Sequence, residues 1–264
     1  MRIALAQIQS LKGDVQENSE LHKKAIRLSL ANKADAIFFP ELSLTGYEPI
    51  LAEKLKMKLG DNRLLGFQEI SNTEKVTIGL GMPLHTESGI EIAMIIFQPN
   101  IPLYIYTKQL LHEDELPYFQ AGNKYGHIQL SEQHIALAIC YESLQSEHAH
   151  EAINHHADIY LASVAKSQSG IEKAYEHFKK LSKTHALTIL MCNNIGPCDN
   201  FEGAGQSAVW KNGDLLGSLF PDKEGILIFD STKQSTERIW EKLVCFRKRR
   251  RIPSNSIIFI ETYR

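Results

Sequence analysis

Three chemically reactive residues each follow a short apolar run of the sequence. Glu41 comes after AIFFP, Lys108 after PLYIYT, and Cys140 ends the run IALAIC. A charged side chain next to a buried strand is costly unless it is paired, so these positions call for a reason. A free thiol has a pKa of about 8.5 and needs a nearby base or cation to attack at neutral pH. The set therefore suggests nucleophilic chemistry by a thiol.

Each residue also has a structural interpretation. A cysteine at the end of an apolar strand is usually a small core residue, and a lysine there can extend its charge into water. Glu41 by itself could cap the next turn. Four histidines, His148, His150, His155 and His156, are interpreted as part of a surface helix, since no metal-site spacing completes them. Arg247–Arg251 are interpreted as a solvated charged face.

The elements that must position these residues alternate between strands and helices. Ile3–Ile8 are predicted to form a strand, Asp14–Ala34 a helix, and Ala36–Phe39 a second, fully buried strand. Val76–Met82 and Ile92–Phe97 are predicted to form a hairpin, separated by Pro83 and Ser88-Gly89, which favours mixed sheets. Further predicted strands are Ile135–Cys140, Asp158–Val164, Leu187–Cys192 and Ser207–Trp210, and further predicted helices are Ser146–His156 and Gly170–His185. The pattern favours a layered α/β fold.

The composition limits the function classes. The chain has 264 residues, 43% of them hydrophobic and 23% charged, with a net charge of -2. These values fit one globular domain and give no basic field for nucleic acid. No apolar run is long enough to cross a membrane, and the N-terminus lacks the features of a signal peptide, so a cytoplasmic location is expected. The four cysteines show no zinc pattern, and reduced thiols are expected.

Taken together, the three segments resemble the nitrilase superfamily of carbon–nitrogen hydrolases. FPELSLTGY is similar to its first signature, YTK to its second and ICYE to its third, and NNIGPCDNFEGAGQSAVWKNGDLLG is similar to a later Asn–Gly and Gly-x-Ser region. The resemblance extends from Ile3 to about Asp230 and implies Glu41 as base, Lys108 as the catalytic lysine and Cys140 as nucleophile. Some members have a second glutamate after the lysine, for which Glu115 is the better match and Glu113 the weaker one.

The sequence departs from the family pattern after the cysteine. The common continuation Cys-Tyr-Asp-x-Arg-Phe-Pro-Glu is here CYESLQSE, so Leu144 replaces the arginine and Ser146 the proline. Glu142 and Glu147 keep the two acids. The nucleophile is unaffected, but a carboxylate-binding role for that arginine is not available to this chain.

The resemblance implies an α-β-β-α sandwich of two mixed sheets in one domain, residues 1–264, with a C-terminal tail from about residue 231. It also implies a homodimer that pairs through a helical face. The expected reaction is hydrolysis of a small non-peptide amide or N-carbamoyl compound through a thioester, with nitrile hydrolysis or a non-catalytic binding role as alternatives. Tyr47, Tyr141 and Ala165 are expected to contact the substrate, and no metal, cofactor, nucleic acid or membrane partner is expected.

Overall fold

The computed structural model describes residues 1–240 of the chain. Cys245 and the basic run Arg247–Arg251 lie outside the described residues. The α-helices of this part of the chain are α1 (Val15–Ala31), α2 (Ala52–Leu55), α3 (Asn62–Glu74), α4 (Ser146–Asn154) and α5 (Gln168–Thr184). Its strands begin with β1 (Arg2–Gln7), β2 (Ala36–Phe38), β3 (Thr77–Thr86), β4 (Gly89–Phe97), β5 (Tyr104–Thr107), β6 (His127–Leu130), β7 (Gln133–Ile139), β8 (Ile159–Val164) and β9 (Thr188–Asn193). They continue with β10 (Ile195–Cys198), β11 (Phe201–Ala204), β12 (Ala208–Lys211), β13 (Asp214–Ser218), β14 (Gly225–Asp230) and β15 (Ser235–Ile239).

The strands form two mixed sheets and a small hairpin. The first sheet has seven strands in the order β15-β14-β1-β2-β3-β4-β5, and the second has six in the order β13-β12-β9-β8-β7-β6. β1, β2 and β3 are parallel, as are β7, β8 and β9, whereas the flanking strands pair antiparallel. The parallel strands are buried on both faces, which explains their continuous apolar runs. The predicted mixed sheets are confirmed.

Three apolar layers separate the sheets and helices. The middle layer joins both sheets face to face, with Leu5 and Phe38 packed in the same cluster as Leu137 and Leu190. A second cluster fills the space between the first sheet and helices α1 and α3, and a third lies between the second sheet and helices α4 and α5. The order of layers is therefore α-β-β-α, as predicted.

The boundaries differ from the sequence prediction in a few places. β3 continues through Pro83 to Thr86, because Pro83 only has to accept a hydrogen bond there, from the backbone of Met57 at 3.0 Å. Helix α3 was not predicted: Leu64 is buried while its neighbour Leu65 is 54% exposed, so the apolar residues do not mark one clear face. Strand β15 pairs with β14, so the first sheet continues past residue 231, where the sequence placed the start of a tail.

Polar contacts join the two sheets near the ends of β1, β2, β8 and β9. Ser163 donates a hydrogen bond to the carbonyl of Phe39 at 2.7 Å, and the Cys192 thiol donates to the carbonyls of Ala6 and Phe38 at 3.3 Å each. In the interior such bonds are costly to break, because they would leave buried polar groups without partners. They fix the relative position of the strand ends that carry the candidate site.

Candidate active site

A buried cluster of charged side chains lies where the strand ends of the two sheets meet. It consists of Glu41, Lys108 and Glu115. The Lys108 ammonium lies 2.8 Å from Glu41 Oε1 and 2.6 Å from Glu115 Oε1, and all three side chains are at most 1% exposed. Tyr47 OH donates to Glu115 Oε1 at 2.9 Å, and the His112 backbone N–H donates to Glu115 Oε2 at 2.8 Å. The structure thus places Glu115 beside Lys108, as the sequence predicted.

The two carboxylates have different environments. Both oxygens of Glu115 accept hydrogen bonds, whereas Glu41 Oε2 makes no hydrogen bond of ordinary geometry with any residue of the described chain. Burial raises the pKa of Glu41 to about 7, although the Lys108 charge and a contact with the Cys140 thiol oppose this rise. Burial by itself would lower the pKa of Lys108, but the charges of Glu41 and Glu115 raise it above its ordinary value. Glu41 is therefore the carboxylate that is free to exchange a proton.

The backbone around Glu41 is held by packing and by a buried histidine. A β-carbon added at Gly81 would lie 2.4 Å from the backbone nitrogen of Leu42, so only glycine allows this turn to approach β3. Leu42 has a positive φ of 50°. His22 of α1 donates from Nδ1 to the carbonyl of Asn18 at 2.7 Å and accepts from Ser43 Oγ at 2.9 Å. These contacts fix the direction of the Glu41 side chain.

Cys140 lies at a sharp turn directly after β7. Its φ of 47° is in the left-handed region, which is uncommon for a non-glycine residue and costs of order 1–3 kcal/mol. The 3₁₀ turn Cys140–Leu144 follows, and Ser143 Oγ donates to the carbonyl of Cys140 at 2.6 Å. Strained backbone of this kind clusters at functional sites, where it presents a side chain in a fixed direction. Here it directs the thiol away from its own strand and into the pocket.

The Cys140 thiol is surrounded by charges of both signs. Sγ lies 3.6 Å from the carbonyl of Ala165 and 3.7 Å from Nζ of Lys166. Burial and the Glu41 charge raise the pKa of Cys140 to about 11, and the ammonium groups of Lys166 and Lys108 oppose this rise. The thiol is therefore protonated at neutral pH and needs a base during attack.

Glu142 connects the turn at Cys140 with the backbone that follows Lys108. Its Oε1 accepts from Tyr106 OH at 2.5 Å and from the Ile139 N–H at 2.7 Å, and its Oε2 accepts from the N–H groups of Gln109 and Leu110 at 2.6 and 3.2 Å. The side chain is fully buried. The sequence identified Glu142 only as a retained acid, and its hydrogen bonds to both segments became visible in the tertiary structure.

The position of His148 differs from the sequence interpretation. The sequence places it on a surface helix with its neighbouring histidines, but in the structure its side chain is buried, with 4% exposed, beneath the site. Tyr160 OH lies 2.8 Å from its Nδ1, and Tyr106 OH lies 3.0 Å from its Nε2. Tyr106 donates to Glu142, so His148 must donate from Nε2 and accept at Nδ1. The histidine is buried because it completes this chain of hydrogen bonds.

A cavity of about 440 Å³ opens above Cys140. Tyr47, Tyr141 and Ala165, which the sequence predicted as substrate contacts, all line it. Lys166 and Phe201 also line it and were not predicted as site residues. Lys166 directly follows Ala165, and Phe201 lies in the later family-like region, but the sequence pattern singled out neither residue because the tertiary fold brings them to Cys140. The cavity is large enough for a small organic molecule.

Within residues 1–240 there is no group of three or more His, Cys, Asp or Glu side chains arranged to hold a metal ion. None of the helices in this range combines the length and the apolar composition needed to cross a bilayer.

The fold and the site define a class of protein, a layered α/β enzyme whose buried acid and lysine face a cysteine. The family model described as carbon-nitrogen hydrolase matches residues 2–239. The chain belongs to the carbon-nitrogen hydrolase family, which confirms the resemblance to the nitrilase superfamily.

Solved structures with similar folds and curated relatives with similar sequences agree with this assignment. An amidase of the nitrilase superfamily from Nesterenkonia AN1 superposes with a TM-score of 0.77 at 21% identity, covering 86% of this chain and 89% of that one. A mutant of the same amidase shows covalent addition of the acetamide moiety of fluoroacetamide at its active-site cysteine. Glutamine-dependent NAD(+) synthetase from Thermotoga maritima is 24% identical over 240 residues, which is 84% of this chain and 41% of that protein. The chain thus spans about two-fifths of the length of that curated relative.

Proposed function

We propose that the protein hydrolyses a small non-peptide amide or N-carbamoyl compound, with Cys140 as nucleophile and a thioester as intermediate. The observation that carries this proposal is the arrangement around the thiol. Glu41, with a free carboxylate oxygen and a pKa of about 7, faces Cys140, while Lys108 lies 2.8 Å from that carboxylate. A base, a cation and a thiol nucleophile in one pocket are the parts that acyl transfer requires.

The proposed reaction begins with attack of Cys140 Sγ on the amide carbon while Glu41 takes the thiol proton. Negative charge develops on the amide oxygen, where the Lys108 ammonium and the Tyr141 backbone N–H stabilise it. Glu41 then gives its proton to the leaving nitrogen, the C–N bond breaks, and ammonia or an amine departs. Glu41 next activates a water molecule that hydrolyses the thioester and restores the free thiol. Glu115 holds Lys108 in place throughout.

The covalent adduct at the active-site cysteine of the Nesterenkonia amidase supports the proposed nucleophile, because that protein shares the fold. Curated relatives named for their dependence on glutamine favour a second candidate substrate, the side-chain amide of glutamine. Both substrates pass through the same thioester chemistry. They differ in the charged groups that the pocket must accept.

The test is ammonia release from a panel of aliphatic amides, N-carbamoyl amines, glutamine and the nitriles that match the amides. We expect turnover of at least one amide and an acyl adduct on Cys140 by mass spectrometry with a slow substrate. Cys140→Ala should abolish both, and Cys198→Ala, which removes a buried thiol elsewhere, should keep both. Normal turnover in Cys140→Ala would refute the covalent mechanism. Turnover of nitriles without amides would replace the proposed reaction by nitrile hydrolysis.

A further inference from the structure

Lys166 has a buried ammonium group that faces the active-site cavity. The residue is 7% exposed, lines the cavity, and places Nζ 3.7 Å from Cys140 Sγ. No carboxylate lies within ion-pair distance of it among residues 1–240; the salt bridges there involve other cations. A buried cation without an opposite charge is costly, so such a group is normally paired or meets its partner in a ligand.

The acids of the cavity already have partners. Glu115 binds Lys108, Tyr47 and the backbone of His112. Asp114 accepts hydrogen bonds from Tyr47 OH at 3.1 Å and from the imidazole of His112. These contacts hold both acids in place, and among residues 1–240 neither of them forms an ion pair with the Lys166 ammonium.

A second lysine adds to this charge. Lys173 of α5 lines the same cavity, is exposed, and forms no ion pair within the described part of the chain. α5 begins at Gln168, and both Ser167 and Gly170 line the cavity, so the first turn of the helix borders it. The N–H groups of a first helical turn have no partners within the helix and favour negative charge nearby.

The position of Lys166 is fixed by its surroundings. Its backbone N–H donates to Asn193 Oδ1 at 2.9 Å, and its carbonyl accepts from Asn193 Nδ2 at 3.2 Å and from the Ala204 N–H at 2.9 Å. A β-carbon added at Gly170 would lie 3.3 Å from Cβ of Lys166, so the absence of a side chain there leaves room for the lysine stem. These contacts fix the backbone from which the side chain enters the cavity, where its ammonium lies beside Cys140.

We propose that Lys166, assisted by Lys173, binds a carboxylate of the substrate, so that the preferred amides are those of dicarboxylic or amino acids. This inference rests on the proposed function and specifies its substrate class. Because Sγ must approach the amide carbon closely, an ammonium 3.7 Å from Sγ reaches a carboxylate attached only a few bonds from that carbon. Lys173, at the exposed side of the cavity, reaches a carboxylate on a longer chain.

The test compares matched pairs of amides that differ in one charge. Malonamate, succinamate and glutaramate are paired with propionamide, butyramide and valeramide, and kcat/KM is measured for each by ammonia release. In the parent protein we expect the anionic member of at least one pair to be favoured. Lys166→Met should lower the ratio of anionic to neutral kcat/KM about 10- to 100-fold, the usual range for one charge-assisted hydrogen bond. Lys166→Arg, which keeps the charge, should retain most of the ratio.

Two controls separate this role from others. Lys179→Met removes a lysine of the same helix outside this cavity and should leave the ratio unchanged. The rate of Cys140 alkylation by iodoacetamide, a neutral reagent, reports on the thiol itself. If Lys166→Met leaves the ratio of anionic to neutral kcat/KM unchanged, the proposal is overturned. It is also overturned if kcat/KM falls equally for both members of each pair and alkylation slows, because Lys166 would then act on the thiol. Turnover of neutral amides without any preference for the anions would refute the inference and leave the proposed function intact.

Discussion

Replacement of Glu142 by glutamine tests how the two segments of the site are joined. The Glu142 carboxylate accepts four hydrogen bonds, three from backbone N–H groups and one from Tyr106 OH. Gln keeps the shape of the side chain, but its amide nitrogen donates and cannot accept. The loss of stability therefore depends on whether the new amide nitrogen takes the position of Oε1 or that of Oε2.

The two orientations of the new amide differ in cost. If the nitrogen replaces Oε2, the N–H groups of Gln109 and Leu110 both lose their acceptor. If it replaces Oε1, the Ile139 N–H loses its acceptor, whereas Tyr106 OH can rotate and accept. One orphaned buried donor costs about 1–3 kcal/mol, so we expect Glu142→Gln to adopt the second orientation and lose about that much stability. Glu142→Ala leaves all three N–H groups without their acceptor and should lose more than about 3 kcal/mol.

The assay is urea unfolding followed by circular dichroism, together with kcat for the best amide of the panel. A loss of about 1–3 kcal/mol corresponds to a melting temperature lower by roughly 2–12 °C for a chain of this size. Because Glu142 holds the Cys140 turn against the Lys108 segment, kcat should fall in the folded Gln variant as well. Glu147→Gln is the matched control, since Glu147 is exposed and its side chain hydrogen-bonds only to Ser146 among the described residues. If Glu142→Gln has the same stability and the same kcat as the parent protein, Glu142 does not hold the Cys140 turn against the Lys108 segment.

Four further predictions follow from the same structure. Glu41 must be ionised to accept the thiol proton, so kcat/KM should rise with pH through about 7; a profile flat from pH 5 to 9 would contradict its role as base. Burial lowers the pKa of His22 to about 4. Between about pH 6.5 and pH 4 the unfolded chain therefore binds a proton at His22 that the folded chain does not bind. The free energy of unfolding should consequently fall by up to about 3 kcal/mol on acidification through this range. His22→Gln should flatten this dependence in urea titrations at several pH values, while His134→Gln, at an exposed position, should leave it unchanged. Iodoacetamide should modify Cys140 before Cys192, which is fully buried and has a pKa raised by that burial; peptide mass spectrometry that finds Cys192 modified first would contradict the assigned exposure. The homodimer stays a prediction, which sedimentation at micromolar concentration tests and which a monomer would refute.

Much of the fold was determined by the sequence itself. The buried parallel strands are mostly apolar, and α1 and α5 repeat apolar residues at helical spacing, so their type and approximate bounds follow from the pattern. Helix α3 could not be predicted in this way, because its buried surface consists mainly of Leu64 and Phe67 and gives a weak pattern. Strand β15 alternates only partly buried residues and depends on pairing with β14.

The sequence likewise indicated some features of the candidate site and not others. Glu41, Lys108 and Cys140 could be selected from the sequence because each stands beside an apolar strand in a recognisable motif, and Glu115 because it follows the lysine at a family spacing. The sequence carried no information about which carboxylate has a free oxygen, since that depends on Tyr47 and His112 meeting Glu115. The His112 contact is local, but the Tyr47 contact joins residues 68 positions apart in the chain.

Lys166 and Glu142 show what only the tertiary structure decided. In the sequence, Lys166 is only the residue after Ala165, and Glu142 is an acid two residues after Cys140. Packing of the two sheets places Lys166 Nζ 3.7 Å from the thiol and gives Glu142 four hydrogen-bond donors, from β5 and the segment after it and from the end of β7. A local pattern reports which face of an element is buried, but the charge and hydrogen-bond partners of a site come from elements that meet only when the chain folds.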